Sequence, residues 1–181
     1  LDPGMAFGTG LHPTTRLCLA ALESLADRGA IASGAPDGGP ARIADIGSGS
    51  GILAIAAARL GAREVLAVDV DPIAVEASHA NARRNRLARV IRAREGSAPT
   101  GEGPFDIVLA NLIASLLVTL ADGLVEDLRP GGTLLASGIF VDREAECLAH
   151  GLGRAVVGVP RALQRAAGVV SEVHCISPAA R

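Results

Sequence analysis

The sequence predicts an α/β fold: a mostly parallel β-sheet covered by helices, with one antiparallel hairpin strand at the C-terminal end. Short apolar segments alternate with longer segments of helical periodicity through most of the chain. Such alternation is typical of parallel sheets with helices on both faces. The last two apolar segments follow one another without a helix between them, which indicates a hairpin. The chain has 181 residues, so we expect one domain that spans all of them.

The first half of the chain begins with a Gly- and Pro-rich stretch, residues 1–13, which predicts a loop. Apolar residues at helical spacing follow it, and Pro72 suits the first turn of a later helix. The Gly-rich stretch 29–40 predicts a flexible surface linker. The predicted elements are a helix over 14–28, a strand over 43–46, a helix over 51–60, a strand over 64–70, a helix over 72–86 and a strand over 90–94.

The second half opens with the segment FDIVLA, residues 105–110, which predicts a strand buried on both faces. A helical pattern follows and is predicted to stop before Arg129-Pro130-Gly131-Gly132, because Pro and Gly end helices. The remaining predicted elements are a helix over 115–128, a strand over 133–137, a helix over 143–150 and two strands over 155–159 and 169–176.

Composition argues against several classes of partner. Aromatic residues make up 2% of the chain and the formal net charge is −2, whereas binding of single-stranded nucleic acid needs aromatic platforms and a basic surface. The densest basic stretch, residues 83–94, is interpreted as a solvated helix face. No apolar run approaches the roughly 20 residues that cross a bilayer. We therefore expect no direct nucleic-acid partner and no membrane.

The three cysteines, Cys18, Cys147 and Cys175, lie far apart and form no CxxC pair. This spacing predicts neither a metal site nor a disulfide framework. It is typical of reduced core thiols in a cytoplasmic protein. We therefore expect no bound metal.

The strongest local motif is DIGSGSG, which runs from Asp45 to Gly51 between a predicted strand and a predicted helix. Its glycines, including Gly47 and Gly49, allow a tight turn and close approach of the backbone to a ligand. The next predicted strand leads to Asp69, whose carboxylate can accept both hydroxyls of a ribose. The pair predicts a nucleoside site at the carboxyl ends of the strands of a Rossmann-like sheet. The alternative is a Gly-rich turn that serves packing alone.

The motif by itself leaves the cofactor open. Residues 49–54 are GSGILA, which also satisfies the G-x-G-x-x-A pattern of NAD-binding proteins. The D-x-G-x-G-x-G spacing, the terminal hairpin and the lack of length for a separate substrate domain favour S-adenosylmethionine. That cofactor has no phosphates, and the segment 43–58 accordingly has no cationic residue.

Four segments carry a resemblance to a known family: LDPGMAFGTGLHPTTRLCL, DIGSGSGILAIAAARLGA, VDVDPIAVEA and VLANLIA. Over residues 1 to about 140 the chain resembles the bacterial PrmA family, whose members methylate protein eleven of the large ribosomal subunit. The resemblance implies a class I S-adenosylmethionine methyltransferase domain, preceded by a small substrate-recognition domain that this chain lacks. The chain departs from the family at residues 154–181, which contain no aromatic residue where a hairpin with a Trp is expected.

The resemblance implies that Thr15, Gly47, Asp69 and Asn111 contact the cofactor. With the rest of the glycine loop and the position after the third predicted strand, the candidate cofactor-binding residues are Thr15, Gly47, Gly49, Gly51, Asp69, Ser97 and Asn111. Ser97 stands where a contact to the adenine edge is expected. Thr15 could instead be a helix N-terminal residue whose hydroxyl satisfies free backbone N–H groups.

Asn111 is also the candidate catalytic residue. Many amino methyltransferases have an Asn or Asp followed by two prolines at this position, and this chain has Leu112-Ile113 instead. The amide and the neighbouring carbonyls can accept the N–H groups of an attacking amine and align its lone pair with the S–CH₃ bond. The alternative is an Asn that caps the following helix.

The N-terminal loop contributes candidate substrate or lid residues. Phe7 and Thr9 lie among glycines that suit a mobile lid, and His12 is the His nearest to the motifs. His12 could assist proton transfer, or it could be a turn residue before Pro13.

The sequence therefore predicts an S-adenosylmethionine-dependent protein N-methyltransferase that acts on lysine or N-terminal amino groups of a ribosomal protein, protein eleven of the large subunit by resemblance. Two alternatives remain open: a class I methyltransferase for another protein or a small molecule, and a non-catalytic cofactor-binding module.

Overall fold

The computed structural model describes residues 12–137. As the sequence predicts, helices and strands alternate there, except that no helix lies between the strands over 91–95 and 105–111. The predicted helix over 143–150, the two C-terminal strands and their hairpin lie outside the described residues. The elements are α1 (Pro13–Asp27), β1 (Arg42–Ile46), α2 (Ile52–Arg59), β2 (Glu64–Asp69), α3 (Pro72–Arg84), β3 (Ile91–Glu95), β4 (Phe105–Asn111), α4 (Ala114–Glu126) and β5 (Leu128–Ser137).

The strands form one sheet in the order β3-β2-β1-β4-β5, and each pair of neighbours is parallel. The chain builds outward from β1 to β3 and then returns to the other side of β1 with β4. Strand order therefore reverses between β1 and β4, at the carboxyl edge where open α/β sheets bind ligands. This reversal places the ends of β1, β2 and β4 beside one another.

Two apolar layers hold helices against the sheet. Successive residues of a strand point to opposite faces, so Ile43 packs with α1, α2 and α3 while Ala44 packs with α4. The two isoleucines of β1, Ile43 and Ile46, are fully buried on opposite faces. The predicted sheet with helices on both faces is therefore confirmed for the described residues.

The start of β5 differs from the prediction. Leu128, predicted to end a helix, pairs with Phe105 and begins the strand. The register then shifts, so that residues 129–132 bulge out before pairing resumes at Thr133. An ion pair between Arg129 Nε and Asp106 Oδ1, at 2.5 Å, joins the bulge to β4. The local sequence could not show this strand, because its partners lie on another strand.

The stretch 29–40 is not purely a surface linker, so that part of the prediction is wrong. Ile31 is fully buried, and its carbonyl accepts a hydrogen bond from the backbone N–H of Ala41 at 2.7 Å. Arg129 Nη2 donates to the carbonyl of Gly34 at 2.9 Å. Ile31, with the buried Ala35, thus fixes the connection to the core beside β1.

The basic stretch 83–94 is not one helix face. Arg83 lies at the end of α3 and is exposed, whereas Arg92 and Arg94 lie on β3 and both bind Glu102. Hydrogen bonds from Arg92, with those from Arg94 and the nearby charges, lower the pKa of Glu102 to about 2, although desolvation opposes the shift. Part of the basic stretch is therefore neutralised within the chain.

Cys18 is a free thiol that is fully buried on α1, as predicted; Cys147 and Cys175 lie outside the described residues. None of the helices between residues 12 and 137 has the length and apolar character that crossing a bilayer requires.

Candidate functional site

The glycine loop after β1 turns sharply at the carboxyl edge of the sheet. Gly47, Gly49 and Gly51 have φ values of 70°, 54° and 77°, a region that side chains other than hydrogen disfavour. A β-carbon at Gly47 would also contact Cδ2 of Leu112, the residue after β4, and that flexible side chain would have to move. Glycine therefore suits this path because of its backbone angles, and the loop brings bare backbone to the reversal point of the sheet.

Asp69 lies at the end of β2 with its carboxylate bound on both oxygens. Oδ2 accepts the backbone N–H of Gly49 at 2.9 Å, and Oδ1 accepts that of Asp71 at 3.0 Å. Each carboxylate oxygen has about two acceptor positions, so each can still accept one hydroxyl. The geometry suits the vicinal hydroxyls of a ribose, as the sequence predicts.

Asn111 and Thr15 are brought together from opposite ends of the described chain. Asn111 ends β4, and its Nδ2 donates to Thr15 Oγ1 on α1 at 3.3 Å. The alternative of helix capping is wrong for Asn111, because the N-cap of α4 is Ile113. Thr15 does lie in the first turn of α1, as its alternative states, but the N-cap is His12 and the Thr15 hydroxyl accepts the Asn111 amide.

His12 is the N-cap of α1. Its Nδ1 accepts the backbone N–H of Thr14 at 3.4 Å and lies 2.7 Å from Thr14 Oγ1. The ring therefore satisfies one of the free N–H groups at a helix start. Phe7 and Thr9, the other candidate lid residues, lie outside the described residues.

Ser97 follows β3 and is half-buried. The preceding residue, Gly96, donates its backbone N–H to the carbonyl of Asp69 at 2.9 Å. This bond brings Ser97 close to the end of β2, where Asp69 lies.

Asp45 is a buried carboxylate under the site to which sequence reasoning gave no role. Its Oδ2 accepts the backbone N–H of Ala54 in α2 at 3.0 Å. Burial raises the pKa of Asp45 to about 7; the Ala54 hydrogen bond opposes the shift and the charge of Asp69 adds to it. The acid thus ties the start of α2 to the end of β1.

Two polar residues of α3 also support the glycine loop, and sequence reasoning missed both. Ser78 Oγ donates to the carbonyl of Gly49 at 3.0 Å, and Asn81 Nδ2 donates to the carbonyl of Ser50 at 3.0 Å. Ser78 and Asn81 are each 1% exposed. Polar side chains three residues apart, on the same helix face as the buried Ala74 and Ala82, were the signal that could have identified them.

The carboxyl edge thus combines a carboxylate acceptor, bare loop backbone and an oriented amide. Within residues 12–137 no group of three or more His, Cys, Asp or Glu side chains is arranged to hold a metal ion. The carboxylate and amide oxygens at this edge can accept hydrogen bonds from a ligand rich in hydroxyl and amino groups.

The family model described as ribosomal protein L11 methyltransferase (PrmA) matches residues 1–154. A relative of that name from Chloroflexus aurantiacus is 47% identical over 174 residues, which cover 82% of this chain and 50% of the relative. Another from Geobacter sulfurreducens is 47% identical over 165 residues, covering 89% of this chain and 50% of the relative. The chain spans about half the length of the curated relatives it matches.

Solved structures with a similar fold include methyltransferases of the same and of other kinds. The crystal structure of ribosomal protein L11 methylase from Lactobacillus delbrueckii subsp. bulgaricus is 34% identical, with a TM-score of 0.70, and the match covers 83% of this chain and 71% of that one. Precorrin-6y C5,15-methyltransferase from Geobacter metallireducens GS-15 has a TM-score of 0.62 at 19% identity, covering 82% and 75%, a likeness of fold alone. The predicted class I methyltransferase fold is confirmed.

Proposed function

The chain belongs to the ribosomal protein L11 methyltransferase family, and from that premise we propose that it is an S-adenosylmethionine-dependent protein N-methyltransferase acting on L11. The atoms modified are lysine or N-terminal amino nitrogens. One observation carries the proposal: Asp69, the glycine loop and Asn111 lie in that order across neighbouring strands. An acceptor for a ribose therefore stands at one end of the cleft and an amide acceptor for an amine at the other.

The residues of the edge fit this cofactor, which supplies a methyl group already activated on a sulfonium. The Asp69 carboxylate has acceptor positions left for two ribose hydroxyls after its bonds to Gly49 and Asp71. Gly47 exposes backbone to the methionine part, and Ser97 lies beside the adenine. The absence of a cation in segment 43–58 suits a cofactor without phosphates.

Asn111 orients the amine for attack. Thr15 Oγ1 accepts the Nδ2 hydrogen bond, so Oδ1 remains to accept an N–H of the neutral amine. Holding the nitrogen in line with the bond that breaks converts an encounter into an intramolecular step. The ammonium form first loses its proton to solvent, and the chain itself needs no strong base.

We place this activity in the cytoplasm. The buried free thiol of Cys18 supports that compartment, since a reducing environment keeps thiols in this form.

The direct test is incubation of the chain with purified L11 and isotopically labelled S-adenosylmethionine, followed by mass spectrometry of L11 peptides. We expect label on lysine side chains or on the N-terminal amine, and labelling that is roughly 10- to 100-fold slower with Asn111→Ala. The chain spans about half of the Chloroflexus aurantiacus relative, so the segment of that relative that aligns with this chain serves as the matched positive control. Label incorporated by the aligned segment but not by this chain would contradict the proposal.

The cofactor is tested separately by thermal shift. A ligand that binds only the native state raises the melting temperature by mass action. We expect S-adenosylmethionine to raise it and NAD at the same concentration to leave it unchanged. An equal rise with NAD would contradict the cofactor assignment and leave the fold assignment intact.

A further inference from the structure

Ser137 ends β5 beside Asn111, and its hydroxyl has no structural use that the described residues reveal. The two residues are paired in the parallel register, so their side chains lie on the same face of neighbouring strands. Ser137 is fully buried, and its Oγ makes no hydrogen bond of ordinary length with any residue between 12 and 137. A buried hydroxyl without a partner destabilises a fold, so alanine would serve packing better here.

Among residues 12–137, the recorded neighbour of the Ser137 hydroxyl is the thiol of Cys18 on α1. Sulfur is a weak hydrogen-bonding group. Burial raises the pKa of that thiol to about 12; the Ser137 hydroxyl opposes the shift and the Asp45 charge adds to it. The thiol is therefore neutral at physiological pH and leaves the oxygen of Ser137 available.

Among residues 12–137, the Asn111 amide lacks an acceptor for one of its N–H groups, whereas Ser137 lacks a hydrogen-bond partner for its hydroxyl. A side-chain amide has two N–H donors, and within the described residues the Asn111 amide makes one hydrogen bond, from Nδ2 to Thr15 Oγ1. The second N–H has a buried acceptor one strand away at Ser137. The backbone already links the two positions, because the N–H of Leu112 donates to the carbonyl of Ser137 at 3.0 Å.

We propose that Ser137 is a positioning residue for methyl transfer: once the cofactor is bound, its Oγ accepts the second N–H of Asn111, a hydrogen bond not yet formed in the described structure. With Thr15 and Ser137 each taking one N–H, the amide can no longer rotate, and Oδ1 alone is presented to the amine. The proposal rests on the proposed function for the identity of that amine. The pairing of Asn111 with Ser137 itself is a property of the chain.

The test is a double-mutant cycle in single-turnover methylation of L11 at saturating cofactor. Ser137→Ala should slow the transfer step roughly three- to tenfold, the range that one neutral hydrogen bond supplies. The cofactor Kd should stay unchanged, and the melting temperature should stay unchanged or rise. Ser137→Cys keeps the size, loses the strong acceptor and should behave alike. In the Asn111→Ala background neither change should slow the step further, because Ser137 acts through Asn111. Equal slowing in both backgrounds, or an unchanged rate in the first, would overturn the proposal.

A second measurement does not depend on turnover. Side-chain NH₂ resonances of ¹⁵N-labelled chain, with S-adenosylhomocysteine as the bound probe, are assigned to Asn111 by comparison with Asn111→Ala. Ser137→Ala should shift them, and the matched change Ser33→Ala, at an exposed loop hydroxyl, should not. Unshifted resonances overturn the role of Ser137. Failure of the wild type to label L11 would instead refute the proposed substrate and leave this result standing.

Discussion

Single side chains at the carboxyl edge are oriented before a ligand arrives. Backbone N–H groups hold both oxygens of Asp69, and Thr15 holds the amide of Asn111. Groups fixed in this way lose little further freedom on binding, which favours affinity and rate alike. The two residues nevertheless serve different steps, so their removal should have different consequences.

Replacing Asp69 should weaken cofactor binding. Asp69→Ala removes a charged acceptor for the ribose hydroxyls, a loss of about 1.5 to 3 kcal/mol, which isothermal titration with S-adenosylmethionine would measure. Asp122→Ala, at an exposed carboxylate on α4, is the matched control and should bind normally. Unaltered affinity in Asp69→Ala would remove this carboxylate from the site.

Replacing Asn111 should impair transfer more than binding. Asn111→Ala removes the acceptor that aligns the amine, and misplacement by about 1 Å can cost up to about 100-fold in rate. We expect single-turnover methylation to slow by roughly 10- to 100-fold while the cofactor Kd changes little. A normal transfer rate together with a raised Kd would instead assign Asn111 to the methionine part of the cofactor.

Among the elements, α3 supports the glycine loop, although α3 itself contributes no proposed ligand contact. Ser78 and Asn81 donate to the carbonyls of successive loop residues, Gly49 and Ser50. A β-carbon at Gly51 would lie 2.8 Å from Ser78 Oγ, so helix and loop are in close contact. The loop shape therefore depends on α3 as well as on its own glycines.

Loosening this support should reduce cofactor affinity through the loop. Ser78→Ala leaves the Gly49 carbonyl without its donor, and we expect a Kd for S-adenosylmethionine raised about fivefold, in keeping with one neutral hydrogen bond. Glu76→Ala, on the exposed side of α3, is the control. A lower melting temperature with an unchanged Kd would mean that the bond stabilises the fold but not the binding shape.

The alternation of elements could be predicted because each strand and helix shows its own periodicity. The start of β5 could not, since the pairing of Leu128 with Phe105 and the Arg129–Asp106 contact join segments that are far apart in the sequence. Ile31 was assigned to the surface for a similar reason. One large apolar residue among glycines and alanines gives no periodic signal.

The candidate site was predictable where a motif marks it, and less so where only contacts do. The glycine loop and Asp69 follow a strand-and-spacing pattern, and the structure brings them together through the Gly49–Asp69 bond. Ser78 and Asn81 escaped notice because their partners are backbone carbonyls of another element. The contacts of Phe7 and Thr9 with a substrate stay predictions.

At the scale of the whole molecule, the central strand carries an acid in the middle of the core. Asp45 is 1% exposed, and its pKa lies near 7 chiefly because of burial. Its ordinary value is 3.8, so between pH 4 and 7 the unfolded chain is ionised there while the folded chain keeps its proton. Folding then takes up a proton, and stability falls as pH rises through this window.

The stability of the wild type should therefore decline from about pH 4 to about pH 8 by up to about 4 kcal/mol through this group, at 1.36 kcal/mol per pKa unit. Asp45→Asn keeps an acceptor for the Ala54 N–H and should lose that part of the decline. Urea unfolding at several pH values measures it. Parallel curves for the two proteins would show that Asp45 is ionised in the folded state throughout.

Glu102 should affect the pH dependence of stability in the opposite direction from Asp45. Its pKa is lowered to about 2, chiefly by the hydrogen bond from Arg92, so its contribution is present above its ordinary value of 4.5 and is lost as pH falls toward 2. The contribution of Glu102 changes between about pH 2 and 4.5, whereas that of Asp45 changes mainly between about pH 4 and 7. Glu102→Gln should therefore leave the Asp45-dependent decline in stability in place.

The strand order also bears on how the chain reaches its native state. The glycine loop and Asp69, to which we assign the ribose, lie within one strand–helix–strand unit, residues 42–69, whereas the Thr15–Asn111 contact closes a separation of 96 residues. The entropy of closing a loop grows with its length, and pairings distant in sequence slow folding. We therefore expect the half of the cleft that holds the nucleoside to be assembled first during folding, and the half that aligns the amine to be completed only when β4 docks beside β1.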